Sequence, residues 1–142
     1  MIVPDVNLLI YAYDKNAPDH SKARTWWEET LSGSEVVGIP WIVVLAFVRL
    51  MTHPTLSTNP MTIQQSREAV LSWCEIKHVR LLSPSPSTIE LFFRLLAQAE
   101  TGGNLSTDAM IAALASEYGG CVYSNDRDFS RFGEIVWRNP LD

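Results

Sequence analysis

GGCVYSNDRDF, residues 119–129, places a glycine pair, a short apolar run and two aspartates in immediate succession. The residues before it, Asp108–Tyr118, predict a helix rich in small side chains (Ala109, Ala112, Ala113, Ala115, Ser116), and Gly119-Gly120 terminates it. Cys121–Ser124 then reads as a strand without polar alternation, the pattern of a strand covered on both faces. Asp126 and Asp128 stand at its tip, two residues apart. Like charges this close must be solvated, paired, or bridged by a cation. As turn formers they need no further explanation, because Asp bonds its own backbone readily. As cation ligands they need other acids to arrive at the same place.

Working outward, the same alternation recurs along the chain. Met1–Val3 is a short β-branched run ending at Pro4-Asp5, and Leu8, Leu9, Tyr11 and Ala12 predict the start of a helix. In Asp19–Leu31, Ala23, Trp26, Trp27 and Leu31 fall at helical spacing, with Lys22, Arg24, Glu28 and Glu29 on the other side. Glu35–Ile39 predicts a second strand, and Pro40 opens a helix over Trp41–Thr52. Thr62-Ile-Gln-Gln65 and Ser87-Thr-Ile-Glu90 match the capping box, which predicts helices over about 62–75 and 87–101, the latter ended by Gly102-Gly103-Asn104. Val79–Leu82 lies between them as a strand, Ser106 or Thr107 caps the sixth helix, and Ile135–Trp137 is a final strand. Short apolar strands alternating with helices predict an α/β fold with a parallel sheet covered on both faces. Right-handed crossovers bring the carboxyl ends of all such strands to one rim, where open α/β folds place their ligands.

With 142 residues the chain is expected to form one domain, 1–142, large enough for a real core. A hydrophobic fraction of 46% against 19% charged residues excludes a disordered or fibrous class. No apolar run is long enough to cross a bilayer, and the first residues carry no basic leader, so a cytoplasmic protein without a membrane partner is expected. Cys74 and Cys121 lie far apart, without metal-ligand spacing, and are expected to be reduced packing residues. A net charge of −5 argues against a sequence-independent DNA binder but leaves room for a nuclease, whose bound cation inverts the local field.

Three distant segments direct carboxylates towards the rim. Asp5 ends the first strand, Asp108 opens a helix, and Asp126 and Asp128 follow the strand at 121–124. Such a cluster suits Mg²⁺ or Mn²⁺, hard cations that take oxygen ligands and retain waters. Asn7, Thr107 and Ser124 could add neutral oxygens or orient neighbours. Each acid has a structural alternative. Asp108 would favour the helix dipole in any case, whereas Asp5 at a buried strand end needs a partner. His20, His53 and His78 have no partner at ligand spacing, and Trp26, Trp27, Phe92 and Phe93 fall at core spacing. No phosphate-binding Gly-rich loop, nucleophile elbow or His-Glu-x-x-His helix is present. A phosphohydrolase using Asp5 as nucleophile would need a lysine after a later strand, and Lys15, Lys22 and Lys77 are not so placed.

The segments VPDVNLLIYA, GIPWIVVLAFVRLMTHP, GGNLSTDAMIAALA and SNDRDF, followed by RF and NPL, together resemble the PIN-domain proteins, and within them the VapC-type toxins of toxin–antitoxin pairs. The resemblance runs from the first residues to the last. It implies a three-layer α/β/α fold around a short-stranded parallel sheet, a Mg²⁺- or Mn²⁺-dependent endoribonuclease, a homodimer, and neutralisation by a cognate antitoxin. By position, Asp5, Asp108 and Asp126 match the family's metal-binding acids, with Asp128 as a supplementary one. Asn7 and Ser124 would orient ligands or waters, and Arg49 and Arg127 would hold RNA phosphates. One departure stands out. Where many members carry a glutamate on the helix after the second strand, this chain reads Leu45-Ala46-Phe47-Val48-Arg49. Loss of that acid would weaken a second metal in particular. Two readings follow: a nuclease with a three-acid, one-metal site, or a degenerate module that binds RNA or antitoxin without efficient cleavage.

Overall fold

Five parallel strands form one sheet in the order β3-β2-β1-β4-β5, in a computed structural model that describes residues 1–100 and 105–142. The strands are β1 (Ile2–Pro4), β2 (Val37–Pro40), β3 (Val79–Leu82), β4 (Cys121–Tyr123) and β5 (Trp137–Arg138). The helices are α1 (Val6–Tyr13), α2 (His20–Ser32), α3 (Trp41–Met51), α4 (Ile63–Cys74), α5 (Pro86–Ala99) and α6 (Ser106–Glu117), and a 3-10 helix spans Arg127–Arg131. The α1–α2 and α3–α4 pairs connect strands that step one way from β1, while α5–α6 carry the chain back across to β4. Right-handed crossovers therefore put the first four helices on one face and the last two on the other. This is the three-layer parallel fold expected from the sequence.

Between β1 and β4 the strand order reverses direction, and in open parallel sheets that reversal leaves a crevice at the strands' carboxyl ends. The register here is fixed: Ile2 pairs with Cys121, Val3 with Val122 and Pro4 with Tyr123. The Asp5 amide extends the ladder to the Tyr123 carbonyl at 2.9 Å. The segments after the two strands, 5–7 and 124–128, are thereby held side by side.

The core packs around an aromatic group in which Phe47, Tyr13, Trp27 and Trp73 meet at 4.9–5.9 Å between ring centroids. The Trp73 indole donates to the Tyr13 hydroxyl at 2.8 Å, which satisfies a polar edge inside an apolar cluster. On the opposite face, the buried alanines and Ile111 of α6 let that helix lie close against the sheet.

Several boundaries differ from expectation for local reasons. Helix α1 begins at Val6 rather than Leu8, because the Asp5 side chain caps it. The Thr62–Gln65 capping box forms as predicted. The second box does not use Ser87. The Ser85 amide donates to Thr88 Oγ1 at 2.8 Å, and Ser87 and Thr88 turn instead to the Glu117 carboxylate at the end of α6. Neither Ser106 nor Thr107 caps α6, which starts at Ser106 itself. Strand β2 begins at Val37, past exposed Glu35, and β5 covers Trp137–Arg138 rather than 135–137. Phe93 is 62% exposed on α5, not in the core, and Cys74 is also exposed. The predicted end of α5 at 101–104 lies outside the described residues.

Gly120, between α6 and β4, permits the close approach of β1. A Cβ there would lie 2.9 Å from Val3 Cγ2 and 3.2 Å from the Met1 carbonyl, a stiff side chain and a backbone atom. Gly120→Ala should therefore lower stability by about 1–3 kcal/mol in urea unfolding. Gly133→Ala, with nothing within 4 Å of its added carbon, should leave the midpoint close to wild type.

Candidate metal centre

The site forms at the β1/β4 crevice. Asp5 is buried, at 5% exposure, and both its oxygens are engaged: Oδ1 accepts from the Val6 amide at 2.7 Å and Oδ2 from the Ser124 hydroxyl at 2.7 Å. Ser124 is fully buried directly after β4. Its Oγ also accepts from the Asp126 amide at 2.9 Å and, at 3.4 Å, from Asn7 Nδ2. A single hydroxyl thus joins the two strand tips. Its carbonyl is held from a third side by the Trp137 indole at 3.1 Å.

Beyond this buried layer, one carboxylate oxygen from each of Asp108, Asp126 and Asp128 comes within 4.8 Å of the others. Asp108 lies in the first turn of α6, and Asp126 and Asp128 flank the start of the 3-10 helix. Asp126 Oδ1 accepts from the Asp128 amide at 2.9 Å, so the turn-forming role anticipated for these residues is also realised. Capping the 3-10 helix fixes where Asp126 stands, and its carboxylate remains part of the cluster.

Electrostatics follow from this crowding. Burial, partly offset by the bonds from Ser124 and Val6, pushes the Asp5 carboxyl above its ordinary 3.8, and nearby Asp126 adds to the rise. Asp108 is pushed up to about 7, first by burial and then by the charges of Asp5, Asp126 and Asp128. Asp108 thus feels the charges of the other three acids, while both oxygens of Asp5 are engaged by Val6 and Ser124 behind the oxygen cluster. Three oxygen donors with excess negative charge suit a hard divalent cation, which would relieve the same repulsion that holds protons on Asp108. Asn7 Oδ1 is buried beside this layer without a partner among the described residues.

The remaining expected residues separate by exposure. Ala46 is buried on α3, so α3 supplies no carboxylate at that position. Arg49 and Arg127 are exposed and pair with no described acid. His20 bonds the Tyr11 carbonyl, His53 accepts from its own turn, and His78 contacts the Thr30 carbonyl, so all three serve local structure. Two supports escaped the sequence reading. The capping role of Asp5 has a signature in the run Pro4-Asp5-Val6 before an apolar helix. The Trp137 bond has none, since only the fold brings residue 137 to Ser124.

A buried serine clasp between two parallel strands, with acids outside it, defines a class of α/β domain built to present oxygen ligands at a sheet rim. The chain belongs to the PIN-domain family, whose pattern its residues 2–135 match. It is 33% identical over 141 residues to ribonuclease VapC33 of Mycobacterium tuberculosis, covering 99% of both chains. Ribonuclease VapC37 of the same organism is 34% identical over 140 residues, covering 99% of this chain and 97% of that one. Among solved structures, M. tuberculosis VapC20, described as a sarcin-ricin loop cleaving toxin, superposes with a TM-score of 0.72 at 19% identity, covering 96% and 97%. VapBC2 of Rickettsia felis, bound to a promoter DNA fragment, gives 0.69 at 19% identity, covering 98% of each chain.

Two outcomes are expected of the metal-free protein. The unfolded chain releases the Asp108 proton near 3.8 and the folded chain near 7, so the fold holds the extra proton between them. Stability should fall as pH rises from about 4 to about 7 and then level off. Asp108→Asn should flatten that slope and raise the melting temperature at pH 8, which a thermal melt series would read. Ser124→Ala leaves the Asp126 amide and Asp5 Oδ2 without their partner, so it should cost about 1–3 kcal/mol in urea unfolding.

Proposed function

We propose that this chain is a metal-dependent endoribonuclease, the toxin component of a toxin–antitoxin pair, that hydrolyses RNA phosphodiester bonds. The observation that carries this reading is the oxygen cluster of Asp108, Asp126 and Asp128, with Asp5 locked behind it, at the crevice of a PIN-domain sheet. The ribonuclease names of full-length relatives support the reaction class. Residues 1–142 act as one catalytic unit.

Asp5, Asp108, Asp126 and Asp128 would hold Mg²⁺ or Mn²⁺. Asp108, Asp126 and Asp128 would do so directly, and Asp5 would contribute through its remaining lone pairs or through the field it adds. When bound, the cation supplies Lewis acidity, lowering the pKa of a water and offsetting charge on the phosphate oxygens. The protein's own groups set geometry. Ser124 fixes Asp5 relative to Asp126, Val6 and the Asp128 amide fix the carboxylate rotamers, and Asn7 offers a neutral acceptor that adds no repulsion. Arg127 and Arg49, exposed and paired with no described acid, are the groups to receive RNA phosphates. A cognate antitoxin would be the neutralising partner. A homodimer is supported by the exposed Ile89 and Phe93, one turn apart on α5.

The test is cleavage of RNA in Mg²⁺ or Mn²⁺, with chelator as control. Asp126→Asn and Asp5→Asn should each reduce the rate by at least about 100-fold, as expected when a metal site loses a ligand or its supporting charge. Full cleavage by Asp5→Asn would remove the proposed site.

Ala46 favours a second reading, a module that binds RNA or antitoxin but cuts poorly. Ala46→Glu separates the two. A large gain in metal-dependent cleavage would show that the native site is crippled, and an unchanged rate would show that the existing acids suffice.

A further inference from the structure

Immediately after Asp126, the 3-10 helix Arg127–Arg131 presents three distinct faces. Side chains three residues apart eclipse one another in this geometry. Phe129 and Phe132 form the inward face: both are buried, and their rings meet edge to face at 6.1 Å. Arg127 and Ser130 share a second face, on which Ser130 Oγ donates to the Arg127 carbonyl at 2.7 Å. Asp128 and Arg131 share the third. The two phenylalanines lock the rotation of the helix, so Arg131 rises from the same face as the carboxylate that joins Asp108 and Asp126.

Arg131 is exposed, lies one turn of the 3-10 helix from Asp128, and forms no ion pair with any described acid. A guanidinium meant only to neutralise Asp128 would be paired with it. Holding the cation apart leaves the carboxylate free and keeps five N–H donors available at the edge of the cluster. Arginine's planar fork matches two oxygens of a phosphate, and its charge is permanent.

We propose that Arg131 is a substrate-binding residue that grips a phosphate of the RNA adjacent to the bond being cut. This rests on the nuclease reading above and adds a docking point to it. RNA entering an acidic rim on a chain of net charge −5 meets repulsion away from the metal. A cation on the helix face that carries Asp128 offsets that repulsion and biases where the strand lies. Arg127, on the neighbouring face, would meet a different part of the strand.

The experiment compares wild type, Arg131→Gln, Arg131→Lys and, as a control with the same charge change, Arg80→Gln. Arg80 is exposed on the edge strand β3, separated by β2 from the strands flanking the crevice. Steady-state cleavage of a short single-stranded RNA in Mn²⁺ is measured over a salt series, with Mn²⁺ affinity taken separately by calorimetry. Arg131→Gln should raise KM about tenfold, the loss of one charge-assisted phosphate contact, with kcat within about threefold of wild type. Its dependence of log KM on log salt should weaken by about 0.7, the contribution of one phosphate contact on a single strand. Its Mn²⁺ affinity should not fall. Arg131→Lys should restore the salt slope but only part of the affinity, and Arg80→Gln should match wild type. A cleaving wild type with an indistinguishable Arg131→Gln would overturn this inference alone, as would a loss explained by weaker Mn²⁺ binding. A wild type that neither binds nor cleaves RNA would overturn the functional reading and this inference with it.

Discussion

The hydroxyl of Ser124 is the bond on which the site depends. It donates to Asp5 at one end of the chain and accepts from the amide of Asp126 near the other, 2.7 and 2.9 Å away. Parallel pairing of β1 with β4 brings the strand tips together, but pairing alone sets backbone positions, not carboxylate directions. A buried hydroxyl with a single proton to give resolves that. It must donate to the anion and accept from the amide, so each neighbour's orientation is fixed by the inventory of donors and acceptors. The same arrangement keeps Asp5 from collapsing onto a lysine or arginine, none of which approaches it among the described residues.

The cluster outside this clasp is an unfavourable arrangement that the fold sustains. Burial, and then the charges of Asp5, Asp126 and Asp128, push the Asp108 carboxyl up to about 7. Local rules are satisfied almost everywhere else. Helix α4 has its capping box, α1 has an aspartate cap, and the buried Trp73 indole is bonded to the Tyr13 hydroxyl. Where one region violates charge balance in an otherwise consistent chain, function is the expected reason.

Much of this was legible in the sequence. Strands such as VGIP and CVY carry no polar residue between glycine or helix boundaries, which marks a parallel sheet, and strand tips in such sheets share a rim. Asp5, Asp126 and Asp128 could be assigned to that rim from their distance past a strand alone. What could not be read was the division of labour among them. Nothing in the order of residues says that Asp5 spends both oxygens on Val6 and Ser124 while Asp128 joins Asp108 and Asp126 outside. That depends on side-chain rotamers and on Trp137, which reaches Ser124 only in three dimensions. The second capping motif was displaced for a related reason. Ser87-Thr-Ile-Glu90 satisfies the local pattern, but α5 starts earlier, at Pro86 with Ser85 and Thr88 forming the cap, and the Ser87 and Thr88 hydroxyls donate to Glu117 of α6. Phe93 was misplaced because periodicity shows that a residue lies on an apolar stripe, not how wide a stripe its neighbours cover.

The retained proton also changes what loading the site entails. A cation settling among Asp108, Asp126 and Asp128 near neutrality must evict hydrogen from Asp108, so uptake of the ion is an exchange rather than a simple addition. Acidification of the surroundings would then act as a competitor for the same oxygens, weakening retention of the ion without any contact being broken elsewhere in the protein.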